Sequence, residues 1–242
     1  MKRSEINELI REALSFFSSM QFRLPPWGYW DLQDWKKHKD KCREIFTNQL
    51  GWDLTDFGSG DFSRTGLLLF TIRNGKLNPD QQLKHDQQFN PGKRLDQGNK
   101  PYAEKIMIAG EGQVTPMHFH WSKMEDIINR GGGNLMIELY PSDENEDFAD
   151  HPFEVSVDGI SKTLNPGDII RLTPGESITL YPGLYHKFYG EKEKGKVLVG
   201  EVSAVNDDKS DNRFLDGVGR FPEIVEDQPP DHLLVSDYSK FI

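Results

Sequence analysis

Residues 118–134 read HFHWSKMEDIINRGGGN, which sets His118, His120, Lys123 and Glu125 within eight residues and three glycines at 131–133. His118 and His120 are two apart, so on a strand both imidazoles share one face. Glu125 follows after enough chain to turn a corner and return. With Gly112 six residues ahead, the local pattern is G-x5-H-x-H-x4-E-x5-G. A separate segment, YPGLYHKF (181–188), brings His186. Three imidazoles and one carboxylate make a mixed N/O donor set. That set suits Mn²⁺, Fe²⁺, Co²⁺, Ni²⁺ or Zn²⁺ better than Ca²⁺, and no thiolate directs it to a soft metal. It differs from the helical H-E-x-x-H arrangement. Gly131, Gly132 and Gly133 can adopt positive φ and are expected to position the loop before them. A phosphate cradle is not expected, because no Walker-type lysine follows.

Outward from this stretch, short segments alternate apolar and polar residues: YAEKIMIAGEG, QVTPMHFHW, NLMIELY, FEVSVDG, LYHKFYG and KVLVGEVSAV. Gly, Pro, Asn and Asp separate them, which predicts a mostly antiparallel sandwich or barrel. LLLFTIRNG (67–75) reads as a strand ending in an Asn74–Gly75 turn. Residues 76–101 read as a long polar connection. Residues 4–19 predict a helix capped by Ser4, with Ile6, Leu9, Ile10, Ala13, Phe16 and Phe17 at helical spacing. Pro25 and Pro26 end it, and a second helix is expected over DLQDWKKHKDKCREIF (31–46). Trp27 and Trp30 are expected to pack helices on the sheet, or else to reach an active-site mouth. The division is a helical extension, 1–55, packed on a barrel, 56–242, that includes a C-terminal loop and tail. LLVSDY in that tail reads as a last strand or helix turn.

The chain has 242 residues, 28% charged and 36% hydrophobic, with a formal net charge of −10. That balance argues against nucleic acid as a partner and leaves a small neutral ligand open. Cys42 is the only cysteine, so no intrachain disulfide forms. No apolar run approaches membrane-spanning length, and a soluble cytoplasmic protein is expected. PSDENEDFAD (141–150) reads as a solvated acidic loop. His38, His85, His151 and His232 read as surface or packed histidines.

The histidine–glutamate pattern resembles the cupin family, whose first motif has this order and whose second motif supplies a later His. The second motif is imperfect here. Pro182 and Gly183 are adjacent, and Gly190 stands where an Asn is common. A narrower resemblance covers most of the chain. LPPWGYW, YAEKIMI, QVTPMHFHWSKMEDIINRGGGNLMIELY, YPGLYHKFYG and GEVSAVNDDKSDNRF resemble the D-lyxose isomerase family of manganese-dependent cupin sugar isomerases. The resemblance implies a mainly β fold, a cupin jelly-roll β-barrel with an N-terminal helical extension. It implies His118, His120, Glu125 and His186 as metal ligands, Mn²⁺ as the ion, and a homodimer. It also implies interconversion of D-lyxose with D-xylulose, and of D-mannose with D-fructose.

Such a reaction needs acid–base groups beside the metal. Lys123 falls where the family carries a catalytic lysine. As a neutral amine it would relay a proton; as an ammonium it would stabilise an enediolate. Glu201, within VGEVS, and Glu138, within NLMIELY, are the candidates for a second acid–base group. Asp207 and Arg213 are candidates for the far hydroxyls of the sugar. Lys105 and Gln113 are further substrate-binding candidates, with snorkelling and a structural hydrogen bond as their respective alternatives. Two other function classes compete: a cupin oxygenase using the same ligands, and a non-catalytic sugar-binding cupin.

Overall fold

The computed structural model describes residues 1–76, 100–207, 210–217 and 223–242. Most of the long connection at 76–101, with His85, lies outside them, as does Asp208. The helices are α1 (Arg3–Ser19), α2 (Leu32–His38), α3 (Arg43–Thr47) and α4 (Tyr238–Phe241). The strands are β1 (Gly51–Thr55), β2 (Leu67–Arg73), β3 (Tyr102–Ala109), β4 (Thr115–Phe119), β5 (Glu125–Gly132), β6 (Leu135–Pro141) and β7 (Phe153–Val157). They continue as β8 (Ile160–Leu164), β9 (Ile169–Leu172), β10 (Ser177–Leu180), β11 (Leu184–Gly190), β12 (Val197–Ala204) and β13 (Arg213–Phe214).

Two antiparallel sheets face each other. The larger has the order β1-β2-β3-β12-β5-β10-β7-β8, and the smaller β13-β4-β11-β6-β9. Between them lies an apolar core that includes Leu69, Met107, Ile127, Ile137, Leu139, Leu172, Ile178, Phe188 and Val199. This is the expected mainly β, cupin-like sandwich. The β7–β8 hairpin turns at Asp158 and Gly159, both with positive φ.

β2 explains its own LLLF run. Leu67 and Leu69 face the inter-sheet core, while Leu68, Phe70 and Ile72 face outward beneath α1. A strand buried on both faces cannot alternate with polar residues. On the helix side, Ile6, Ile10, Ala13 and Phe17 form the apolar stripe. Phe17 stacks on Trp52 with ring centroids 6.1 Å apart.

Several expectations change in detail. Ser4 does not cap α1, whose N-cap is Lys2 without a side-chain bond. Instead Asp227, from the tail, accepts Ser4 N–H at 2.9 Å and Ser4 Oγ–H at 2.7 Å. The second helix is broken into α2 and α3 by a 3-10 turn at Lys39–Lys41. LLVSDY forms a 3-10 turn at Val235–Asp237 that leads into α4. Trp27 packs on Phe70 at 4.7 Å, and Trp30 packs against Trp35 and His38, so both tryptophans belong to the helical layer. That layer also includes Leu233 and Tyr238 of the tail. β1, inside the 1–55 segment, is a strand of the larger sheet. None of the described helices is long and apolar enough to cross a membrane.

Candidate active site

The two sheets contribute different halves of one site. β4 and β11 of the smaller sheet pair with His118 opposite His186, and registered partners share a face. His120 lies just past β4, where the chain turns from the smaller sheet to the larger. β5 begins at Glu125. In the larger sheet Thr71, Lys105, Glu201 and Ile127 form one cross-strand row, and Ser203 pairs with Glu125 in the next row. The β4–β5 corner therefore aims Glu125 back at the imidazoles.

The ligand nitrogens of His118, His120 and His186 all lie within 4.8 Å of one another, and all three residues are buried. Each Nδ1 meets a backbone carbonyl: Pro116 at 2.7 Å, Asp211 at 2.7 Å and Leu184 at 3.0 Å. A carbonyl can only accept, so each Nδ1 donates and each Nε2 presents a lone pair. Glu125 Oε1 lies 3.4 Å from His120 Nε2 and 3.1 Å from His186 Nε2. His186 Nε2 is buried without a hydrogen-bond partner. Lone pairs facing an ionised carboxylate at these distances are unfavourable unless a cation lies between them. Two donors at a right angle around a metal with bonds of about 2.1 Å are about 3 Å apart. The three imidazoles thus form a group that could hold a divalent metal, with Glu125 against two of them, and the carbonyls behind the rings fix their orientation.

The local electrostatics agree. Burial, reinforced by His186 and His120, holds His118 well below 6.5. Burial and then Lys123 lower His120. For Glu125, burial pushes upward, but Lys123 and the neighbouring His120 and His186 prevail and hold the carboxyl well below 4.5. Neutral imidazoles and an ionised carboxylate are the forms a metal needs.

Beside the histidines lies a buried ion network. Lys123 Nζ is 2.6 Å from Glu125 Oε2 and 3.1 Å from Glu201 Oε1. Lys105 Nζ is 3.3 Å from the same Glu201 oxygen, which also accepts Ser203 Oγ–H at 3.1 Å. Two ammoniums and two carboxylates can move protons at a substrate held against the imidazoles.

Residues 1–238 match the family described as D-lyxose isomerase. The chain belongs to this family. It is 47% identical over 243 residues to a D-lyxose/D-mannose isomerase of Serratia proteamaculans, covering 100% of each. The corresponding figure for the Escherichia coli O157:H7 D-lyxose/D-mannose isomerase is 45% over 242 residues, again covering 100% of each. Among solved structures, an L-ribose isomerase of Cellulomonas parahominis with L-ribose aligns at a TM-score of 0.58. It has 15% identity, with 93% of this chain and 98% of that one covered, which supports the shared fold.

With the D-lyxose isomerase family established, each remaining candidate has a definite place. Lys123, Glu201 and Lys105 line the pocket with the histidines and Glu125. Glu138 does not. It is the register partner of Lys187, whereas Leu139 partners His186, so Glu138 points to the opposite face. There it pairs with Lys187 at 2.6 Å. Arg213 is likewise turned away: its strand neighbour Phe214 lies against His118, while Arg213 Nε donates to Glu146 at 3.0 Å. Gln113 takes the structural alternative, donating to Phe62 O and accepting Gly110 N–H. Asp207 is exposed and accepts Ser210 Oγ–H at 2.6 Å. The glycines at 131–133 sit at the far end of β5, about 20 Å of strand from Glu125, and do not position the metal loop. Their need is local: a Cβ on Gly132, at φ +86°, would lie 2.3 Å from Lys196 O.

Three residues escaped individual assignment. Asp211 accepts the N–H groups of Ser122 and Lys123 at 2.8 and 2.9 Å, while its carbonyl meets His120. Asn206 Oδ1 accepts from Lys105 Nζ at 2.6 Å. Asn212 lines the pocket. All lie in VNDDKSDNRF, and the available signal was a polar run directly after a buried strand.

Proposed function

We propose that this chain is a metal-dependent aldose–ketose isomerase. It would interconvert D-lyxose with D-xylulose, and D-mannose with D-fructose. The observation that carries the reading is the convergence of three imidazole Nε2 atoms and Glu125 beside the buried Lys123–Glu201 pair. Family membership and the names of the 45–47% identical relatives support it over an oxygenase or a non-catalytic sugar binder. His118, His120, His186 and Glu125 would hold a divalent ion, read here as Mn²⁺, which would supply Lewis acidity toward the carbonyl and hydroxyl oxygens of the sugar.

The chain's own groups divide the proton work. The Glu201 carboxylate takes the proton from C2 of the open-chain aldose. The Lys123 ammonium gives a proton to O1, producing a cis-enediol. Lys123 then recovers a proton from O2, and Glu201 returns its proton to C1. Every proton is accounted for and the ketose leaves. Lys105 pairs with Glu201 and orients it, and Phe214, lying on His118, excludes water from that side.

The test is to strip the protein of metal and reload it separately with Mn²⁺, Co²⁺, Fe²⁺, Ni²⁺ and Zn²⁺. Each form is assayed anaerobically with an aldose panel. No ketose from D-lyxose or D-mannose under any metal would overturn the reading. Solvent deuterium entering C1 of the ketose supports the enediol route over a hydride shift. A homodimer in the cytoplasm belongs to the same reading, and a solution mass of twice 27.8 kDa checks the assembly.

A further inference from the structure

We propose that Asn206, held in place by Asn74, is a positioning residue that keeps Lys105 from displacing Lys123 at Glu201. The proposal rests on the isomerase reading and adds a residue to it. Asn206 lies two residues past β12, and the Asn74 side chain pins its backbone on both sides. Asn206 N–H donates to Asn74 Oδ1 at 3.0 Å, and Asn74 Nδ2 donates to Asn206 O at 2.9 Å. Asn74 is itself buried. Its Nδ2 also donates to Asn48 O at 3.2 Å, and its Oδ1 accepts Gly75 N–H at 2.9 Å. One side-chain amide thus joins the end of β2, the end of α3 and the segment after β12.

That anchoring fixes the place of Asn206 Oδ1. It accepts from Lys105 Nζ at 2.6 Å and lies 3.4 Å from Lys123 Nζ. Both ammoniums also converge on Glu201 Oε1, at 3.3 and 3.1 Å. Two acceptors therefore bridge two cations in a closed ring. A lysine carries only donors, so the amide must present its oxygen here. A buried ammonium that loses an acceptor seeks another. Without Asn206 Oδ1, Lys105 would move closer to Glu201 Oε1 and crowd Lys123. That would disturb the pair that moves the protons, while the three imidazoles stay held by their backbone carbonyls.

Variants at this position have room to fold, because Asn206 also lines an open cavity of about 850 Å³ with Phe46, Thr71 and Tyr238. The experiment compares Asn206→Leu, similar in size but without an acceptor, with Asn206→Asp, which keeps an oxygen there. Metal-loaded proteins are assayed with D-lyxose. Asn206→Leu is expected to lower kcat roughly 10- to 100-fold, since small misplacements of catalytic groups have such effects. KM, metal content and Tm should stay at wild-type values. Asn206→Asp should recover most of the kcat. Asn74→Ala, which removes an amide bonded to the backbone of Asn48, Gly75 and Asn206, should reproduce the loss in kcat. Wild-type turnover by Asn206→Leu overturns the proposal, as does an equal loss in Leu and Asp variants accompanied by lower Tm. Crystal structures of the variants read the same positions without turnover. Lysines unmoved in Asn206→Leu overturn it even if the wild type makes no ketose, an outcome that would separately sink the isomerase reading.

Discussion

Lys123 and Glu201 are both buried and share a contact of 3.1 Å, but they reach it from different parts of the fold: a corner loop and a central strand. Removing either should damage chemistry more than metal binding, because neither belongs to the histidine cluster. Lys123→Ala and Glu201→Gln are each expected to lower kcat by about 10²- to 10⁴-fold, the usual worth of a positioned acid or base. Metal stoichiometry should remain that of the wild type. Turnover of Lys123→Ala at the normal rate with metal bound would falsify its role. Glu138→Gln supplies the contrast. Its carboxylate pairs with Lys187 on the opposite face of the smaller sheet, so kcat and KM should match the wild type. In sequence, Glu138 and Glu201 look alike: each is a carboxylate in an apolar strand. Strand parity separates them, because Leu139 registers with His186 and thereby turns Glu138 outward. No single strand's sequence carries that pairing.

At the scale of elements, the β4–β5 corner and the segment after β12 act as one unit. The Asp211 carboxylate holds the two N–H groups leading into Lys123. Asp211→Ala releases that loop and is expected to lower kcat about 10- to 100-fold. Lys123→Ala/Asp211→Ala should then lose little beyond Lys123→Ala, and full additivity in that double-mutant cycle would refute the link. The histidine cluster and the carboxylate beside it were legible because His-x-His at strand spacing and a Glu past a turn need only local geometry. β5 itself was not. Its inward positions are Glu125, Ile127, Asn129 and Gly131, and two of those are polar. The apolar alternation that betrays a strand is therefore missing where the strand serves the site. Arg213 illustrates the same limit, since β13 has only two residues and its parity is set by pairing with β4. α1 was legible for the opposite reason, a repeating apolar face. Phe17 is 1% exposed and packs on Trp52. Phe17→Ala should cost about 3–5 kcal/mol, read by urea unfolding, with KM for sugar unchanged.

Across the whole molecule, the two ends of the chain close over the outer face of the larger sheet. Arg3 is fully buried and forms paired contacts of 2.8–2.9 Å to Asp237 and Glu226. Asn7 and Ser4 add bonds to the tail through Pro229 O and Asp227. The hydrogen bonds from Arg3, opposed by burial and aided by Lys240, depress the Glu226 carboxyl from 4.5 to about 2. A carboxyl whose folded value is depressed binds fewer protons in the folded chain than in the unfolded one. Its stabilisation is fully present above 4.5 and is lost as pH falls toward about 2. Glu226→Gln removes this contribution without emptying the contact. The wild type should therefore exceed the variant in Tm by a constant margin above pH 4.5, and the margin should shrink steadily as the pH approaches about 2. Glu226 is 30% exposed, so solvent screening keeps the margin modest. A margin that is independent of pH across this window would mean that the clasp acts through packing and not through the charge of Glu226.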